Sequence, residues 1–168
     1  MSEGLQKSQN YINATINDLN EILHYENQKL KDLHYDEIEM SLERWNSRWR
    51  QESLEHYLKT GWSFVLRDKD ITSAYSSEGS LIGYFLAQPL LFLDGQTQSL
   101  WIEHLSYSNL EARDNLCDFA YRLSREKHFQ KIYYPSQNIE HVLNSANSYR
   151  GTPWNPGMVQ VLTTRTNL

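Results

Sequence analysis

Cysteine is almost missing from this chain: a single residue, Cys117, in 168. A lone thiol excludes an intrachain disulfide and any multi-cysteine zinc site, and it fits a reducing compartment. Glycine (7) and proline (4) are also scarce, which excludes collagen-like and linker-like chains. There is no surplus of positive charge, since 16 Lys+Arg against 21 Asp+Glu leave a net charge of −5. An extended footprint for nucleic acid or an anionic membrane is therefore not expected. No apolar run approaches a membrane span, and the opening MSEGLQKSQN has no signal-peptide core. The six histidines never fall at the paired helical spacing of a metal site, and no metal is expected. Phosphate-loop, dinucleotide and nucleophile-elbow motifs are likewise missing. The expectation is a soluble, cytoplasmic protein with no nucleic-acid or membrane partner.

What is present is a folded composition, 39% hydrophobic, 12% aromatic and 22% charged, in a chain long enough to bury a core unaided. Ile12, Ile16, Leu19, Leu23, Leu30 and Leu33 recur at three- and four-residue steps, with Glu26 interrupting them. This predicts one stripe of an amphipathic helix. Segment 1–40 is read as an N-terminal helical segment ahead of a domain spanning 41–168. Its stripe either covers the domain's own sheet or, because the seam also fits coiled-coil positions, pairs with a second copy in a homodimer. The period resumes with Ile38, Leu42, Trp45 and Trp49, then Leu54, Tyr57 and Leu58, and Gly61 marks the helix stop. Trp45 and Trp49 are read as core aromatics, with the neighbouring charges on a solvated face.

Strand signals follow. Trp62–Arg67 reads as the first strand, 68–80 as an exposed loop, and Leu81–Leu93 as a strand with a bulge or edge at Pro89. Asp94-Gly95 signals a hairpin turn into Gln96–Tyr107, completing an antiparallel meander. A helix from Ser108-Asn109-Leu110-Glu111 to Lys127-His128 then leads to a strand closed by Pro135. That crossover predicts a parallel arrangement of Ile102–Ser106 and Ile132–Tyr134. Asn138–Tyr149 reads as a further helix, Gly151–Gly157 as a loop, and Met158–Thr164 as the last strand.

This order of elements, with Leu81-Ile82-Gly83-Tyr84, Trp101-Ile102-Glu103-His104-Leu105 and Asp118-Phe119-Ala120 through Lys131-Ile132-Tyr133, resembles the GNAT acyltransferases. The fold class implied is mixed α/β, a GNAT-like fold carrying an N-terminal helical extension. No counterpart of that family's first strand is read ahead of the helical region. The resemblance implies an acyl-CoA cofactor, acetyl-CoA or another, held where the sheet opens between the fourth and fifth strands. It implies an acceptor amine on a small molecule or a protein. Backbone groups of Leu105, Ser106 and Tyr107 would meet the acyl arm, and Glu103 would serve as base. In a regular strand His104 would face the opposite side of the sheet. Tyr149 comes nearest to the family's thiolate acid, one position before the place that Arg150 holds.

The family's glycine-rich diphosphate loop falls here on Ser108-Asn109-Leu110-Glu111-Ala112-Arg113, without glycine. Free helix amides and the positive pole of the helix dipole attract a diphosphate. Ser108 or Asn109 would instead cap those amides, and Glu111 with Asp114 would place negative charge beside them, with Arg113 as the compensating cation. Two functions stay open: an N-acetyltransferase with an altered cofactor loop, or a non-catalytic interaction or ligand-binding module on the same fold. Cys117, among carboxylates, is a poor nucleophile.

Overall fold

The computed structural model describes residues 9–91, 98–135, 151–153 and 158–163. The fold is mixed α/β, with seven strands of mixed direction among the described residues. The chain divides into two compact units, Met1–Ile82 and Gly83–Leu168.

The first element among the described residues is a strand, not a helix. β1 (Gln9–Asn13) runs antiparallel to β2 (Phe64–Asp68), with Ile12 opposite Val65. A strand therefore stands ahead of the helical region, where none was expected, and Ile12 belongs to it. Its five residues, QNYIN, are too short to show a period of two against the long helical pattern that follows. A 3-10 turn at Ile16–Asp18 leads into α1 (Leu19–Asp32). The turn is fastened by a reciprocal cap: Asn17 N donates to Thr15 Oγ1, and Thr15 N donates to Asp18 Oδ2 at 2.8 Å. α1 buries Glu21, Ile22, Glu26 and Leu30, so of the predicted stripe Leu30 is buried, Leu19 and Leu23 are half-buried and Leu33 is exposed, and Glu26 lies within the inner face instead of interrupting it. His34, at φ 59°, ends the helix in the left-handed region.

α2 (Glu37–Asn46) opens with a capping box in which Asp36 and Glu39 serve each other's backbone amides. Its only buried residue is Met40, which joins Leu30 and Trp49 in a small apolar cluster against Leu23. Trp49 is thus core as expected, but Ile38, Leu42 and Trp45 are exposed. The helix stops at Asn46, so the regular step from Trp45 to Trp49 is broken and the two indoles part. α3 (Gln51–Leu58) buries Leu54, Tyr57 and Leu58, and Gly61 follows it at φ 80°.

β2 carries a buried cation. The Arg67 guanidinium meets both carboxylate oxygens of Glu21 (Nη2–Oε1 2.5 Å, Nη1–Oε2 3.1 Å), Asp18 Oδ1 at 3.2 Å and the Gly79 carbonyl at 3.1 Å. Burial opposes the charge, but the hydrogen-bonded carboxylates of Glu21 and Asp18 outweigh it and raise the arginine's pKa further. Gly79 sits at φ 104°, where a Cβ would lie 2.1 Å from the Asp68 carbonyl oxygen; only glycine closes this loop.

β3 (Ser80–Leu91) crosses the boundary between the units. In the second unit the strand order is β3-β4-β5-β7-β6, formed with β4 (Gln98–Tyr107), β5 (Lys131–Pro135), β6 (Gly151–Pro153) and β7 (Met158–Leu162). β3 and β4 are antiparallel, β4 and β5 parallel, and β5–β7 and β7–β6 antiparallel. Gly151–Pro153, expected as loop, pairs with Val159–Val161 as a short edge strand, the place where a proline is tolerated. The predicted turn at Asp94-Gly95 and the helix over 138–149 lie outside the described residues. α4 (Leu110–Glu126) crosses from β4 to β5. Its inner face buries Ala112, Leu116, Cys117, Ala120 and Leu123, close to the predicted set. A Cβ on Gly83 would come within 2.8 Å of Leu116 Cδ1, so glycine lets β3 and α4 approach.

Candidate functional site

Pro89 does not bulge the sheet; it pairs in register with Leu100. The register shift lies three residues earlier on β3, where Leu86 faces His104 but Ala87 faces Ile102. Glu103 is therefore the extra residue of a β-bulge on β4. A bulge leaves one residue unpaired and cancels one step of the in–out alternation, which re-aims side chains.

Directly paired residues share a face of the sheet. Phe85 stacks on Phe119 of α4 with centroids 6.3 Å apart and pairs with Leu105, so both face α4. Tyr84 pairs with Ser106 and Leu86 with His104, and these face away; the Tyr84 and His104 rings lie 5.7 Å apart. On β5, Tyr134 donates its hydroxyl to the Cys117 carbonyl of α4 at 3.2 Å, so Tyr133 faces away as well. Trp101 stacks against Tyr133 at 5.7 Å and donates its indole Nε1–H to Glu103 Oε2 at 2.8 Å. Glu103 and His104 consequently share the face away from α4. The expectation that a regular strand separates them is corrected by the bulge between them. Sequence alone carries no mark of this bulge, and the proline that suggested one points to the wrong place.

The strand ladders end unequally around this point. The parallel ladder of β4 with β5 covers Ser99–Trp101 against Lys131–Tyr133. The ladder with β3 continues to Tyr107, while β5 goes on through Pro135 paired with β7. The parallel arrangement is as predicted, but Ile102–Ser106 lie beyond it. Leu105 and Ser106 are buried and Tyr107 half-buried.

At the end of β4 the chain turns into α4. Of the two candidate caps the structure uses Asn109: its backbone is extended (φ −152°, ψ 169°) and its Oδ1 accepts from Ala112 N at 2.8 Å. The expected Ser108–Glu111 box is therefore one residue out of phase, and exposed Glu111 stands in the first turn. The amides of Leu110 and Glu111 precede the first intrahelical acceptor. Arg113 is half-buried, with Nε 3.2 Å from Asp114 Oδ1 and its guanidinium 5.9 Å from the Tyr107 ring centroid. Tyr149 lies outside the described residues. Burial first, and then Asp114, push the Cys117 thiol up to about 12, which keeps it protonated. Among the described residues no three His, Cys, Asp or Glu side chains group as metal ligands. No described helix is long and apolar enough to cross a membrane.

No family model and no curated protein sequence matches the chain. Solved structures do. The PaiA N-acetyltransferase of Thermoplasma acidophilum, in complex with coenzyme A, superposes with a TM-score of 0.59 at 13% identity, covering 92% of this chain and 98% of its own. The fold is that of the GNAT acetyltransferases. A GNAT-family acetyltransferase of Listeria monocytogenes gives a TM-score of 0.59 at 10% identity, covering 92% and 93%. NAA60 of Arabidopsis thaliana, in complex with acetyl-CoA, gives 0.53 at 12%, covering 92% and 96%.

Proposed function

We propose that this protein is an acyl-CoA-dependent N-acetyltransferase. The observation that supports it is the bulge at Glu103, placed just past the end of the β4–β5 ladder on a GNAT fold. Coenzyme A would be held by the backbone of Leu105–Tyr107 and by the leading amides of α4, with Arg113 close by. The donor set suits an anion: Leu110 N and Glu111 N have no intrahelical acceptor. Glycine is absent from this loop, and the Asn109 cap removes one further donor, Ala112 N. Bound acetyl-CoA supplies an activated thioester.

The chain's own work is to hold the acceptor amine and take its proton. Glu103 is the assigned base, and the Trp101 indole fixes its carboxylate. His104, brought to the same face by the bulge, is the alternative proton acceptor. Tyr149 remains the assigned acid for the departing thiolate.

Calorimetry with acetyl-CoA, followed by thiol release with a panel of primary amines, tests this. Removing a general base typically costs 10²–10⁴-fold, so Glu103→Gln is expected to lower kcat about a hundredfold or more while cofactor affinity stays unchanged. Loss through His104→Phe with Glu103→Gln active would transfer the role to histidine. Absence of binding at millimolar acetyl-CoA would favour the second reading, a non-catalytic module. The observation on its side is the α4 terminus, capped by Asn109 and flanked by Glu111.

A further inference from the structure

The face of the sheet turned away from α4 carries a row of directly paired residues that crosses four strands. Gln88 of β3 pairs with Trp101 of β4, Trp101 with Tyr133 of β5, and Tyr133 with Gln160 of β7. Paired residues share a face, so two aromatic rings stand side by side between two neutral carboxamides. At about 4.8 Å per strand the row spans roughly 14 Å. The Trp101 and Tyr133 rings lie 5.7 Å apart with 35° between their planes. Tyr133 is buried, whereas Gln88, Trp101 and Gln160 are half-buried. Tyr133 therefore braces an indole that keeps part of its surface open.

Charge is arranged across this row. Among the described residues of β3, β4, β5, β6 and β7, Glu103 and Lys131 are the charged ones on this face. Glu103 follows Trp101 by two residues, while Lys131 stands level with Ser99, on the other side of the row. About 13 Å of strand separates the two levels. The Glu103 carboxylate accepts from the indole Nε1 at 2.8 Å, so it lies at the edge of the Trp101 ring. An ammonium drawn to Glu103 has the indole surface beside it, and a short alkyl link lets a ring attached to that ammonium lie on the indole. A flat ring gains the offset or edge-on aromatic contact that an aliphatic chain does not. A second ammonium placed further along the indole would approach the Lys131 ammonium and be repelled.

We infer that this row is a binding site for an arylalkylamine with one positive charge, its ring on Trp101, its ammonium on Glu103 and the two glutamines bounding the ring. Its role as the acceptor site rests on the acetyltransferase reading; its binding does not. In transfer the ammonium gives one proton to Glu103, the freed amine bonds to the acetyl carbon, the thioester C–S bond breaks, and the second nitrogen proton leaves with sulfur as the thiol.

Phenethylamine, its saturated analogue cyclohexylethylamine, phenethyl alcohol and putrescine separate the contributions of ring, charge and second charge. Calorimetry on the full chain reads binding, and thiol release from acetyl-CoA reads transfer. Phenethylamine is expected to bind roughly three- to tenfold tighter than cyclohexylethylamine, the range that an aromatic pair gives. It should bind about tenfold or more tighter than phenethyl alcohol, which lacks the charge, and tighter than putrescine. Trp101→Leu should remove the preference for the aromatic ring, and Glu103→Gln the preference for amine over alcohol, both with unchanged circular dichroism. If Trp101→Leu loses its fold, the ranking of the ligands on wild type decides. Phenethylamine bound no better than its saturated analogue overturns the proposal, as does a ring preference that survives Trp101→Leu in a folded variant. Transfer to putrescine with phenethylamine inert overturns it while upholding the acetyltransferase. Phenethylamine bound with the expected preferences, but no transfer to any amine, upholds the site and overturns the acetyltransferase.

Discussion

If α4 binds a diphosphate at its N-terminus, Asn109 competes with that ligand for the Ala112 amide. Replacing Asn109 by glycine removes the side-chain acceptor while keeping a residue that caps helices almost as well, so the helix loses only a few tenths of a kcal/mol. The freed amide exchanges a neutral cap bond, worth about 1 kcal/mol, for a bond to a charged oxygen worth about 1.5–3 kcal/mol. The net gain is about 1 kcal/mol, or roughly fivefold in affinity. Adding Glu111→Gln removes a negative charge from the first turn, worth about 0.3–1 kcal/mol at low salt. Calorimetric titration with coenzyme A at low ionic strength reads both effects, with pantetheine, which lacks the diphosphate, as the control. The expected pattern is tighter binding of coenzyme A and unchanged binding of pantetheine. Equal or weaker coenzyme A binding by Asn109→Gly, or a gain shared by pantetheine, would refute competition at Ala112 N.

Two further consequences concern stability. Arg67→Met strands the buried Glu21 carboxylate with, among the described residues, only Ser73 Oγ, at 3.3 Å, as a donor, and is expected to cost about 3–5 kcal/mol in urea unfolding. Combining it with Glu21→Gln should recover more than half; an additive double loss would count against the pairing. For Cys117, the folded thiol is pushed up to about 12 from an ordinary value of 9.0. Between those values the unfolded chain releases a proton that the folded chain keeps, so stability falls as pH rises, by up to about 1.4 kcal/mol per pH unit. Cys117→Ala should show a shallower loss of urea midpoint between pH 9 and pH 10 than wild type; parallel curves would deny the burial effect.

Long patterns were legible and short or cancelling ones were not. α4 could be read from Leu116, Ala120 and Leu123 because a packed helix repeats its signal over several turns. β1, with five residues, had no room to repeat, and its identity depends on Ile12 finding Val65 far along the chain. The stripe through Ile38, Leu42 and Trp45 was read correctly as a period, yet period does not say which side meets the core. That was settled by Met40 joining Leu30 and Trp49. Glu103 was singled out from its strand, but its alignment with His104 on one face, and its bond to Trp101, arise from a register shift against β3.

By itself, then, the sequence determined the longer elements from α1 to β5, their order and the residue types available at the end of β4, since these follow from local periodicity, whereas the short strands β1 and β6 carry too little of it. Tertiary structure decided which face each element turns inward, which of two neighbouring residues caps α4, and that Glu103 and His104 look the same way. Those choices rest on contacts between segments far apart in the chain, whose energies no local pattern contains.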